Sequence, residues 1–151
     1  MLAGGCQCGA VRYTVAAERA TLYACHCREC QKQSGSAFGL SLGVAADDFT
    51  CTGEVGCWER DTDSGARTRC FFCPACGARV HHRSSRSPDR VVVKAGTLDD
   101  TTGLRPASHI WVSRKQPWVV LDPLTPSHAT QPTDPQGWRV LLTGLDKPEH
   151  K

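Results

Sequence analysis

Apolar residues along this chain come in short alternating or β-branched runs, the period of half-buried strands rather than of amphipathic helices. Val11–Val15 (VRYTV), Thr21–Cys25, Ala37–Val44, Val55–Glu59 and Ala66–Phe72 read as strands. Arg90–Ala95 (RVVVKA), Ile110–Ser113 and Trp118–Leu121 complete the predicted set. Turn signals at Thr52-Gly53, Ser64-Gly65, Ser87-Pro88 and Gln116-Pro117 separate them. One short helix is predicted near residues 28–34, starting at Arg28 and stopped by Ser34-Gly35. Many short strands with frequent turns imply an all-β sandwich or open barrel. No repeat of fixed length is present. After Leu121 the composition shifts: Pro123, Pro126, Pro132 and Pro135 stand among Ser, Thr and Gln. We therefore expect a domain over residues 1–121 and a Pro-rich, partly ordered extension over 122–151. Within the extension, Trp138–Leu142 (WRVLL) is apolar enough to dock back, and the last residues are expected to be disordered.

At 151 residues the chain suits one core, and 40% hydrophobic content is enough to fill it. No apolar run approaches the ~18 residues of a membrane span. The opening Met1-Leu2-Ala3-Gly4-Gly5-Cys6 lacks the basic-then-apolar order of a secretory signal. The expected compartment is therefore the cytoplasm. That makes the ten cysteines informative, because structural disulfides are rare there and clustered thiols point to metal or redox chemistry.

Three clusters carry that chemistry. In Cys6-Gln7-Cys8, a strand would aim both sulfurs to one face, and Gly4, Gly5 and Gly9 let the backbone approach an ion. Cys73-Pro74-Ala75-Cys76-Gly77 has the form of a zinc knuckle, with Gly77 in the left-handed position after the turn. A thioredoxin-like redox pair would want a βαβ context, which this chain lacks. Together these two clusters supply the four thiolates of a closed structural zinc site. In Cys25-His26-Cys27-Arg28-Glu29-Cys30, three thiolates could hold a second zinc and leave its fourth position open. The plainer alternative is that His26 or a stray cysteine closes that site. On a strand His26 faces away from its neighbours, which reads as a residue behind the ligands or at the surface. Seven thiolates on two zinc ions would cancel the formal charge of +3, so no global field draws the protein to nucleic acid.

The ordered set GGCQCGAVRY, CHCRECQKQSGSAF and FFCPACG resembles the glutathione-dependent formaldehyde-activating family, to which centromere protein V is related in fold and motifs. The resemblance runs over roughly Gly4 to Val120 and includes HIWVSRKQPW. It implies a β-tent fold of open, mostly antiparallel sheets around zinc, shared with an exchange chaperone for small GTPases. It implies a structural zinc on Cys6, Cys8, Cys73 and Cys76, and a catalytic zinc on Cys25, Cys27 and Cys30; three ligands bind more weakly than four, so partial occupancy is expected of the second ion. It implies a carbon–sulfur lyase that joins glutathione to formaldehyde as S-hydroxymethylglutathione. The expected partners are thus a glutathione-like thiol and a small aldehyde, with no nucleic acid and no membrane, and the oligomeric state stays open. A non-catalytic zinc module for a protein or glutathione partner is the alternative.

The remaining candidates have plainer readings. Cys51, Cys57 and Cys70 lie outside the clusters and are expected to be small buried residues. The basic stretch from Arg79 to Arg90 reads as a solvated face, with Arg79 or Arg83 as candidate contacts for a thiol's carboxylate. Trp58, Trp111 and Trp118 are expected in the core. His109 reads as a hydrogen-bonded structural residue, and Ser34 and Ser36 as turn formers rather than nucleophiles.

Overall fold

The computed structural model describes residues 1–16, 20–63 and 65–132. Ser64, Trp138–Leu142 and the terminus at Lys151, which carry sequence expectations, lie outside the described residues. The chain is mostly β and divides into two compact units.

The first unit takes residues 1–19 and 43–101. Strands β1 (Leu2–Gly5), β2 (Arg12–Val15) and β5 (Phe49–Thr52) form an antiparallel sheet in the order β1-β2-β5. Strands β6 (Gly56–Asp61), β7 (Arg67–Phe72), β8 (Arg79–Ser84) and β9 (Ser87–Lys94) form an antiparallel meander. The alternation of Val11, Tyr13 and Val15 puts all three inside, and Val80, Val91 and Val93 are fully buried. Rings bind the two sheets: Phe49 lies 5.8 Å from Tyr13 and 4.8 Å from His81, and His81 stacks on Phe71 at 4.4 Å. Tyr13 also shares a 2.8 Å hydrogen bond with the Thr97 hydroxyl.

The second unit takes residues 20–42 and the chain from 102 onward. Strand β3 (Thr21–Cys25) pairs in parallel with β10 (Ser108–Ile110), and β4 (Gly39–Ala45) begins here. Leu22, Ala24, Leu42 and Ile110 fill its interior. The single α-helix among the described residues, α1 (Arg28–Ser34), ends at Gly35 with φ 60°, the left-handed geometry that glycine adopts without strain.

Several expectations need correction. Ile110–Ser113 is not a strand: β10 stops at Ile110, Trp111 adopts φ 58°, and Val112–Arg114 forms a 3-10 turn. Trp118–Leu121 is irregular, because Pro117 supplies no backbone donor and Lys115 Nζ instead gathers the carbonyls of Gln116 and Val119. Trp58 on β6 is 50% exposed and Trp118 71% exposed, so neither belongs to a core, and Trp111 is half-buried. Cys70 is fully buried as expected, but Cys57 is exposed and Cys51 half-buried.

Candidate metal centres

Two sets of cysteine sulfurs converge, each inside one unit. The sulfurs of Cys6, Cys8, Cys73 and Cys76 all lie within 4.8 Å of one another, and so do those of Cys25, Cys27 and Cys30.

The first set is built from two matching turns. Cys6 N–H donates to Val11 O at 2.9 Å, and Cys73 N–H donates to Ala78 O at 2.9 Å. Inside each loop a second bond closes the knuckle: Gly9 N–H to Cys6 O at 3.1 Å, and Gly77 N–H to Cys73 O at 2.8 Å. Gly9 and Gly77 adopt φ 81° and 75°, as such turns require. The expectation of a strand at Cys6-Gln7-Cys8 is therefore corrected: β1 ends at Gly5, and a turn brings these sulfurs together. The Cys6 and Cys8 sulfurs lie 3.5 Å apart, and those of Cys8 and Cys73 3.7 Å apart. That is close to the ~3.8 Å edge of a tetrahedron whose bonds to zinc are about 2.3 Å long, and far beyond a disulfide. Val11 N–H donates to the Cys6 sulfur at 3.2 Å and pulls its pKa down to about 6, which favours the thiolate that a metal needs.

The second set sits at the β3–α1 junction. Cys25 ends β3 and is buried, while Cys27 caps α1 and accepts from Cys30 N–H at 3.4 Å. The three sulfurs influence one another strongly: contact with Cys25 pushes Cys27 down to about 2, and contact with Cys27 pushes Cys25 up. The protons of the triplet therefore belong to the set, and a soft divalent cation can take their place. Among the described residues no fourth His, Cys, Asp or Glu joins this group.

The polar frame behind the triplet is what sequence reading largely missed. His26 is fully buried, its Nε2 3.0 Å from His109 Nδ1. Burial lowers the pKa of both rings, His26 to about 4, so the pair is neutral at pH 7. Gln31 donates to His26 O at 2.7 Å and to Arg114 O at 3.0 Å, and accepts from Gln116 at 3.2 Å. Gln116 in turn accepts from the Trp118 indole at 2.7 Å. His109, Arg114 and Gln116 lie 83 to 85 positions from the residues they meet, beyond any local motif. Ser34 donates to Cys30 O at 2.8 Å and Phe38 O at 3.0 Å, the turn role expected of it. Gln31, Lys32, Gly35, Ser36, Ala37, Gln116 and Trp118 line an open groove of about 520 Å³ on this unit.

Arg79 and Arg83 lie on β8, in the other unit from the triplet. Their stretch is only partly a solvated face, because His81 is buried. Among the described residues no helix is long and apolar enough to cross a membrane.

The chain is 26% identical over 131 residues to a Halomonas elongata protein named "Putative glutathione-dependent formaldehyde-activating enzyme", covering 81% of this chain and 82% of that one. A crystal structure of a Rhodobacter sphaeroides protein shares the fold at a TM-score of 0.51 and 21% identity, over 70% of this chain and 92% of that one. The family model of the glutathione-dependent formaldehyde-activating enzyme matches residues 1–114, which include every cysteine of both sets. The chain therefore belongs to the glutathione-dependent formaldehyde-activating enzyme family.

Proposed function

We propose that this protein is a two-zinc carbon–sulfur lyase that adds a glutathione-like thiol to a small aldehyde, or releases it. One observation carries the reading: four sulfurs converge at one site and three at the other. Four thiolates around zinc leave no vacancy, so Cys6, Cys8, Cys73 and Cys76 hold the structural ion. Cys25, Cys27 and Cys30 hold the second, whose vacant position supplies, when the ion is bound, a site that lowers the pKa of an incoming thiol.

The chain's own residues prepare that encounter. Gln31 fixes the backbone between Cys25 and Cys27 through His26 O, so the triplet keeps its geometry. The neutral His26–His109 pair places no charge behind the sulfurs that would compete with a cation. The groove along α1 offers Lys32, Ser36 and Gln116 to a peptide thiol's polar groups. In the reaction the thiol sulfur bonds to the carbonyl carbon, the C=O π bond breaks, and the thiol proton ends on the former carbonyl oxygen. Two sets of unbridged thiols suit a reducing compartment, which supports a cytoplasmic location.

The test is metal content per chain together with glutathione–formaldehyde exchange measured by NMR, in the parent protein and in Cys27→Ser. We expect two zincs in the parent, one in the variant, and loss of accelerated exchange with the fold retained. Full exchange activity in Cys27→Ser, or one zinc indifferent to thiol in the parent, overturns the reading.

A further inference from the structure

The meander β6–β7–β8–β9 buries several side-chain nitrogens that find no hydrogen-bond partner among the described residues. Antiparallel register sets Arg60, Thr68 and Ser84 in one row and Trp58, Cys70, His82 and Val92 in the next. Arg79 lies opposite Phe72, two residues along β7 from Cys70, where the β7–β8 register shifts and strict alternation along β8 is broken. Arg60 Nε, Arg79 Nε, Arg79 Nη2 and His82 Nδ1 are all buried, and none has a hydrogen-bond partner among the described residues. The arginines on the opposite face differ. Arg69 pairs with Glu59 at 2.9 Å and Arg67 with Asp61 at 3.2 Å.

Buried guanidinium donors without an acceptor are unfavourable, and a planar guanidinium fork matches the oxygens of a carboxylate or phosphate. Burial first, then Lys94, Arg79 and Arg60, hold the His82 imidazole well below its ordinary pKa. Arg60 on β6, Arg79 on β8 and Lys94 on β9 thus all act on the His82 ring, and no carboxylate among the described residues pairs with Arg60 or Arg79. We propose that Arg60, Arg79 and His82 form a binding site for a small oxyanion, built within the first unit. An arriving oxyanion accepts from Arg79 Nε and Nη2 and from Arg60 Nε. Its negative charge makes protonation of His82 easier, so that Nδ1 becomes a further donor. The site stands apart from the thiol–aldehyde reading and does not depend on it.

The experiment titrates inorganic phosphate and, separately, succinate into the zinc-loaded full chain, by calorimetry and by the ¹⁵N resonances of the histidine rings. We expect saturable binding of at least one anion, a shift of the His82 ring, and weakening of about tenfold or more in Arg79→Gln and in Arg60→Gln. Arg69→Gln, on the opposite face, leaves the affinity unchanged. Succinate binding alone assigns a carboxylate ligand, and phosphate binding alone a phosphate. Absence of saturable binding by both anions in the parent overturns the site, whatever the variants do. So does binding that Arg60→Gln and Arg79→Gln leave intact.

Discussion

Gly4 is an exacting backbone position near the first candidate metal centre, and Gly4→Ala tests why. Gly4 pairs with Tyr13 across β1 and β2 and bridges Leu98 on its other side. A Cβ built there would lie 2.5 Å from the Thr97 carbonyl oxygen and from Tyr13 Cζ, and closer still to the Tyr13 hydroxyl. The carbonyl is backbone and cannot rotate away, and Tyr13 is 2% exposed and packed on Phe49. Overpacking of this kind costs roughly 1–3 kcal/mol. Moving Tyr13 also breaks its bond to Thr97, worth about 1 kcal/mol. The expected loss is therefore about 2–4 kcal/mol in urea denaturation of the zinc-loaded protein. Because Cys6 follows two residues later, a displaced β1 also weakens zinc retention against a chromophoric chelator. Gly96→Ala is the control, since a Cβ there meets nothing within 4 Å and should leave both readouts unchanged. A Gly4→Ala protein within about 0.5 kcal/mol of the parent refutes the steric argument.

Acid should weaken the fold through His81. Burial lowers its pKa from 6.5 to about 4, so the unfolded chain binds the extra proton between those values. The neutral ring's contribution is complete above pH 6.5 and is lost as pH falls toward 4; between pH 7 and 5 the loss is about 2 kcal/mol. In His81→Phe the stability relative to the parent should improve by that amount over the same range, and parallel pH profiles would contradict it. Leu22→Ala, at a fully buried position in the second unit, should cost about 2–5 kcal/mol by urea denaturation; a cost below about 1 kcal/mol would show that the unit collapses around the gap.

The cysteine sets were legible because metal ligands must be close in space, and short spacings achieve that locally. The knuckle at Cys73–Gly77 and the helix at Arg28–Ser34 were visible for the same reason: glycine at Gly77 and Gly35 marks where each turn ends. The spacing of Cys6-Gln7-Cys8 fits a strand as well as the turn that the chain adopts there. Local signal ran out where a residue's surroundings depend on distant pairing. His26 alternates like a surface residue, yet the parallel β3–β10 pair brings His109 against it. Trp58 looks like core, but β6 is a sheet edge, and a large apolar residue there can stay exposed. Arg79 stood out within a basic stretch, but the unpartnered buried nitrogen of Arg60 did not, because the two arginines stand nineteen positions apart in a chain read one strand at a time.

The spacing of the two sulfur sets along the polymer also orders events at the ribosome. Cys8 and Cys73 are partners across 65 positions, so that cage cannot close until about half of the chain has been synthesised. The triplet at 25–30 is complete as soon as that short stretch leaves the exit tunnel. A nascent chain therefore carries a ready thiol trap for a soft cation well before its four-cysteine set can close, and loading should begin at the 25–30 triplet and finish at Cys6, Cys8, Cys73 and Cys76.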